Sequence, residues 1–388
     1  MTAFIPYGRQ LIQDDDIEAV LETLRSDFIT QGPRVTEFEE ALSAYCGAKY
    51  AVVFNSGTSA LHAAYFAAGL SAGDEFITSP VTFSATATAG VLTGANVVFA
   101  PVEPDTGNLD VTKLCGFITP KTKLIVPVHF AGHPVNSEAL FDVVKGGPIV
   151  VVEDACHALG TLYKDRVVTN WQKVGALKHS HMCAFSFHPV KAITTGEGGA
   201  VTTNDLSYYK KLKLFGNHGI TKHSYDFVNH EIAPWFYEMQ TPGLNYRMTD
   251  IQAALGVSQL RKLDVFIERR RSIAKTYNSA FAGNRYFYLP PERDYAKSSY
   301  HLYHIRLKDE YVQRKLEIFN KLKERGLGVQ CHYIPVYRHP YYKSLGFTSI
   351  KSAEDFYSRE ISIPMYPAMA DSDVQFVIEK VLETFEGV

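Results

Sequence analysis

The chain has little cysteine: five residues in 388 (Cys46, Cys115, Cys156, Cys183 and Cys331), odd in number, scattered, and without a CxxC pair. That argues against a disulfide framework and a structural zinc site, so no metal is expected, and free thiols in a reducing cytosol fit. An excess of charge of either sign is also missing, with 39 Lys and Arg against 41 Asp and Glu and no basic tail, so nucleic acid is not the expected partner. Long hydrophobic runs are absent. The most apolar stretch, Ala51 to Leu70, is interrupted by Asn55, Ser56, Thr58, Ser59 and His62, which no membrane span would tolerate. The first residues lack the charged and apolar regions of a secretion signal. No GxxxxGK[ST] occurs, which leaves a nucleoside triphosphate without its usual cradle. There is no internal repeat and no low-complexity tract. What is present is 46% hydrophobic, enough for a large core and for two domains in a cytoplasmic globular protein.

From Tyr50 the pattern alternates. Short apolar runs at 51–54, 75–78, 96–99, 124–128, 149–154 and 182–187 read as strands, with helices at 58–68 and 84–92 between the first three. Their continuous apolar character suggests strands covered on both faces, as in a mostly parallel α/β sheet. An earlier helix is expected over 17–24, led by Asp14-Asp15-Asp16, and one or two long helices over 248–277. Beyond about Gly283 the grammar changes to a half-exposed strand at 301–307, a helix at 314–325, a strand at 329–333 and a closing helix at 374–385. The division expected is a large domain, 1–265, and a smaller α+β domain, 266–388.

Four features carry chemistry. Asn55-Ser56-Gly57-Thr58-Ser59 joins a strand to a helix, where backbone N–H groups and hydroxyls can hold a phosphate; alone, it is equally a capping turn. Phe83, at the next strand-to-helix junction, can stack on a flat ring. Asp154 ends an apolar strand, and a carboxylate there needs a partner such as a protonated pyridine nitrogen; His157 follows three residues on. Lys191 comes just after the strand at 182–187, in Ser186-Phe187-His188-Pro189-Val190-Lys191, ahead of the turn Thr194 to Gly199. Desolvation there frees its amine for Schiff-base chemistry, and Ser186 can donate to a phosphate. Each feature has an ordinary structural explanation. Together, in this order at successive strand ends, they account for the phosphate, ring face, pyridine nitrogen and aldehyde of pyridoxal 5'-phosphate (PLP).

The same residues, with Thr30-Gln31-Gly32-Pro33, Gly243 to Met248 and Ile361 to Pro367, resemble the DegT family of PLP-dependent sugar-nucleotide aminotransferases along essentially the whole chain. The resemblance implies a fold type I α/β transferase: a mostly parallel seven-stranded sheet plus a smaller C-terminal α+β domain. It implies that Lys191 and Asp154 are catalytic, and that Gly57, Thr58, Ser59, Phe83, Asp154, His157, Ser186, Lys191 and Asn245 bind cofactor. Asn245 would reach the phosphate from the neighbouring subunit of a homodimer, and L-glutamate would be the amino donor. Within the family, His188 and the glycine turn after Lys191 are similar to members that aminate C4 of a UDP-linked 4-keto sugar, and further segments to the branch serving pseudaminic acid biosynthesis. That likeness places Tyr7, Asp27, Phe28, Ile29, Thr30, Gly57, Ser186, His188, Asn245, Arg247, Gln330, Cys331, His332 and Tyr333 around the substrate. Another keto sugar, aminated at C3 or C4, is the alternative. The related sugar dehydratases carry histidine where Lys191 stands.

Overall fold

The computed structural model describes residues 4–166, 170–229 and 233–387. Seven strands form its central sheet: β1 (Tyr50–Phe54), β2 (Glu75–Thr78), β3 (Asn96–Phe99), β4 (Thr122–Val126), β5 (Val150–Asp154), β6 (Met182–Ser186) and β7 (Gly199–Thr203). They lie side by side in the order β1-β7-β6-β5-β4-β2-β3. Only β7 runs against its neighbours, so six strands point the same way. Both sheet faces are covered, which is why β5 and β7 are buried throughout and the strands read as unbroken apolar runs. The residue pattern alone locates six of these strands. The seventh, Gly-Ala-Val-Thr-Thr, is short and half polar, and its Gly199 lets it close on the Ser56 carbonyl, where a Cβ would sit 2.4 Å away.

The expected helices are present, with ends moved by a few residues. The helix Gly57–Ala67 is capped by Ser56, whose Oγ accepts from the Ser59 N–H at 3.1 Å. The stretch after Met248 is two helices, Asp250–Arg261 and Leu263–Ala280, meeting at Lys262. The second crosses residues 265 and 266. Its Phe266 and Ile267 pack on the core beside β1 and β6, while Ile273, Ala274 and Tyr277 pack in a separate core with Tyr303, Ile305 and Ile361. That second core surrounds a three-stranded antiparallel sheet of Phe287–Tyr288, β8 (Tyr303–Leu307) and β9 (Glu360–Ile363). Ile5, from the N-terminal segment, joins it by bridging to Leu327.

Two expectations need correction. The strand at 301–307 is not half exposed: all five residues of β8 are buried, because Phe130 and Phe356 cover His304 on the polar face. Residues 329–333 form no regular strand. Gln330 bridges Ser362, and then the backbone N–H of His332 turns to the Glu360 carboxylate instead of a strand partner.

Six strands pointing one way put Phe54, Thr78, Val126, Asp154 and Ser186 at a common carboxyl edge. Ligands of open α/β sheets bind at that edge.

Candidate active site

At the end of β1 the phosphate-type turn is built largely from its own side chains. Ser59 Oγ donates to Asn55 Oδ1 at 2.5 Å and lies 2.7 Å from Ser56 Oγ, so the Ser59 hydroxyl is buried and occupied inside the turn. The anion site that remains is the N–H pair of Gly57 and Thr58, the first two helical residues, which have no intrahelical acceptor. Gly57 packs on Ser186 from β6: a Cβ there would stand 2.8 Å from Ser186 Cβ and 3.0 Å from its Oγ. The close approach keeps the Ser186 hydroxyl beside the N–H pair.

Three sheet positions from β1, Asp154 accepts from Thr86 and Cys156. Thr86 Oγ1 donates to Oδ2 at 2.7 Å, and the Cys156 N–H to Oδ1 at 3.1 Å. Thr86 Oγ1 is itself 2.7 Å from the Oγ1 of Thr82, which lies in the bend ahead of the helix. Both carboxylate oxygens therefore act as acceptors, and the group is oriented by helix Ala85–Val91 as well as by its own strand. Lys191 is half-buried in the turn after β6, its N–H bonded to the His188 carbonyl at 2.9 Å. Desolvation pulls its pKa below the usual lysine value, while Cys156 and the Asp154 carboxylate act in the opposite direction. Burial thereby eases loss of the amine's proton, next to a carboxylate.

His157 is fixed from both sides. Its Nδ1 accepts the Ala131 N–H at 3.3 Å, so the neutral ring carries its proton on Nε2, which points to the Tyr333 hydroxyl 2.9 Å away. Burial, then Lys191 and His332, push its pKa well below the ordinary range, so the ring stays neutral. Tyr333 stacks near it, with ring centroids 5.9 Å apart. Phe83, 60% exposed, faces Tyr333 at 6.2 Å. It is not a core residue. Tyr7 packs against His332 at 5.5 Å on the small-domain side.

The structure thus gathers Gly57, Thr58, Ser186, Phe83, Asp154, His157, Lys191, Tyr7, His332 and Tyr333 around one cleft. Other expected residues lie at its edge or farther off in the single chain. Asp27, Phe28, Ile29 and Thr30 are exposed against the start of the helix Asp250–Arg261, where Thr30 bridges Thr249. Asn245 is exposed, with its carbonyl accepting from Asn55 Nδ2 of the phosphate-type turn at 3.4 Å, and Arg247 donates to Asn217 Oδ1 at 2.8 Å beside a cavity of about 710 Å³. His188 and Gln330 are exposed and Cys331 half-buried at the cleft's margin. Thr86 and Thr82 were not anticipated. The signal available was two threonines bracketing a strand-to-helix junction, where hydroxyls lie close to the strand-end edge.

A strand-end lysine whose pKa is drawn down by burial, a doubly held carboxylate, a helix-start N–H pair and an exposed aromatic plate fit PLP part by part. Fold and site together define a PLP-dependent aminotransferase of fold type I. Residues 10–382 match the DegT/DnrJ/EryC1/StrS aminotransferase family, and the chain belongs to it. It is 39% identical to the spore coat polysaccharide biosynthesis protein SpsC of Bacillus subtilis, over 99% of this chain and 98% of the relative. It is 40% identical to the UDP-4-amino-4,6-dideoxy-N-acetyl-beta-L-altrosamine transaminase of Campylobacter jejuni, with the same coverage. Among solved structures, Helicobacter pylori PseC, an aminotransferase involved in the biosynthesis of pseudoaminic acid, superimposes with a TM-score of 0.91 at 37% identity, over 99% of this chain and 100% of PseC. The PLP form of a putative sugar aminotransferase from Streptococcus pneumoniae gives 0.89 at 32%, over 99% of both chains. The cofactor is PLP.

Proposed function

We propose that the chain transfers the amino group of L-glutamate to C4 of a UDP-linked 4-keto-6-deoxy-N-acetylhexosamine, as in pseudaminic acid biosynthesis. It does so as a cytoplasmic homodimer with shared sites. The net reaction exchanges an amine for a ketone: L-glutamate leaves as 2-oxoglutarate and the sugar ketone becomes an amine. The observation that carries the reading is the pairing of Lys191 with Asp154 at adjacent strand ends, in a chain of such high identity to a sugar transaminase.

When bound, PLP supplies an electron sink for the carbon that loses its proton. The residues of the chain do the rest. Gly57 and Thr58 N–H groups, with the Ser186 hydroxyl, would bind its phosphate, and Phe83 and His157 would contact its ring. The Asp154 carboxylate, oriented by Thr86 and the Cys156 N–H, holds a proton on the pyridine nitrogen. Lys191 Nζ, neutral once desolvated, takes the proton from the donor's Cα and returns a proton to the acceptor carbon in the second half-reaction. His157 stays neutral beside it and adds no competing positive charge.

Asn245 completes the phosphate site of the partner subunit in this reading, and 27–30 and Arg247 join the substrate pocket across the same interface. Its support is the run of exposed apolar side chains on that side: Phe28, Ile29, Trp235, Tyr237, Met239 and Leu244. A second reading, a different nucleotide-linked keto sugar, is favoured by the nearly equal identity to a spore coat polysaccharide protein. Incubation with L-glutamate and individual UDP-keto sugars, with product assignment by mass and NMR, separates the two. A C4 amine from the 4-keto-6-deoxy-N-acetylhexosamine is expected; amination of other keto sugars alone would overturn the assignment.

A further inference from the structure

Behind the cleft, β9 and the segment 330–333 form a hydrogen-bonded chain that the chemistry above does not use. Ser362 Oγ donates to Glu360 Oε1 at 2.5 Å and lies 2.8 Å from His332 Nδ1. The backbone N–H of His332 donates to Glu360 Oε2 at 2.7 Å. Glu360 and Ser362 are wholly buried, and His332 nearly so. A hydroxyl has one proton to give. While Ser362 directs it to Glu360, Ser362 can only accept from the imidazole, so His332 carries its proton on Nδ1. Nε2 is then a bare lone pair. Among the described residues Nε2 has no hydrogen-bond partner, and the ring packs between Tyr7 and Tyr333 within electrostatic reach of Lys191.

The chain can also run the other way. One proton entering at Nε2 moves the Nδ1 proton to Ser362 Oγ and the Ser362 proton to Glu360 Oε1. Glu360 is then neutral, and Nε2 has become a donor. We propose that Glu360 and Ser362 are positioning residues that set the tautomer of His332: with Glu360 ionised, Nε2 accepts from a hydroxyl or amide N–H of the sugar, and with Glu360 protonated it opposes that group. The proposal rests on the sugar-nucleotide reading above.

Burial, opposed first by Lys315, pushes Glu360 up to about 7, so the reversal falls in the neutral range. The groups around it are few. Lys315 approaches from the helix Lys315–Glu324, and Cys331 and Tyr333 lie on the His332 segment. Tyr357 and Arg359 belong to the helix Lys351–Arg359, with Arg359 drawn off to Asp309. Arg306, opposite Glu360 on β8, donates to the Pro104 carbonyl, and His304 lies opposite Ser362 with its pKa pushed down to about 3 by burial. His332 is also held at about 3, by burial and then Lys191, so its ring is neutral on both sides of the reversal.

The test measures KM for the keto sugar from pH 6 to 9 at saturating L-glutamate, in the wild type, Glu360→Gln and Ser362→Ala. The wild type should show KM rising roughly tenfold as pH falls through the neutral range, the effect of setting one donor against another. In Glu360→Gln the amide oxygen accepts the His332 N–H and the amide nitrogen donates to Ser362, so KM should stay high and flat; Ser362→Ala should lose the step. The L-glutamate half-reaction, followed by visible absorbance, should be unchanged in both. Long-range 1H–15N spectra of histidine-labelled holoenzyme, with His332→Asn to assign the signal, read the tautomer directly: proton on Nδ1 at pH 8.5 in the wild type, on Nε2 in Glu360→Gln. A pH step that survives in Glu360→Gln, or Nε2 protonated at pH 8.5 in the wild type, overturns the proposal. Absence of turnover with any keto sugar defeats the transaminase reading instead, and the spectra still decide the tautomer.

Discussion

Thr86→Val removes the hydroxyl that orients Asp154 while nearly preserving shape. Thr86 Oγ1 donates to Asp154 Oδ2 at 2.7 Å in a fully buried setting, and the N–H and thiol of Cys156 are the other donors to Asp154 among the described residues. A hydrogen bond to a charged group contributes about 1.5–3 kcal/mol, and its loss also leaves Thr82 Oγ1 without its partner. The carboxylate that pairs with the pyridine nitrogen is then free to rotate. At roughly 1.4 kcal/mol per factor of ten, kcat/KM for L-glutamate should fall between about tenfold and a hundredfold. PLP affinity, read by absorbance titration of apoprotein, should weaken in the same direction. The assay is single-turnover reaction of the holoenzyme with L-glutamate, alongside thermal unfolding of the apoprotein, which should lose no more than about 2 kcal/mol. A Thr86→Val enzyme within twofold of wild type in both rate and PLP affinity would refute the argument that this hydroxyl positions Asp154.

Three further outcomes follow from the geometry. Gly57→Ala drives a Cβ to 2.8 Å from Ser186 Cβ, so the phosphate turn must open, and apparent PLP affinity should drop at least about tenfold with the fold intact by circular dichroism. Glu360 has a folded pKa of about 7 against an ordinary 4.5, so its contribution is fully present below about pH 4.5 and is lost as pH rises through 7. That loss has a ceiling of about 3 kcal/mol, and Glu360→Gln should lack this part of the stability slope in denaturant titrations. If Asn245 serves the partner's site, Lys191→Ala and Asn245→Ala proteins, each weak alone, should regain about a quarter of wild-type activity when refolded together, since half the dimers then hold one complete site; no recovery would place Asn245 in its own subunit's site.

Much of the sheet was legible because strands buried on both faces must be continuously apolar, as 51–54, 75–78 and 149–154 are. Asp154 stood out as a candidate for a related reason, since a carboxylate ending such a run needs a partner, and Lys191 stood out by its place in the turn after 182–187 taken together with the other strand-end features. What was hidden depends on contacts distant in sequence. Thr86 donates across 68 residues to Asp154, and Tyr333 reaches His157 across 176. β8 reads as half exposed because His304 and Arg306 alternate with apolar residues, and only the packing of Phe130 and Phe356 shows that face to be interior. The sequence also does not show that the Ser59 hydroxyl is hydrogen-bonded to Asn55 and Ser56 within its own turn.

The account stands most directly on the amine of Lys191. Holoenzyme treated with sodium borohydride, digested and mapped by mass spectrometry should carry a pyridoxyl phosphate adduct on the peptide containing Lys191. An unmodified Lys191 in a yellow, PLP-saturated protein, or the adduct on another lysine, would contradict it.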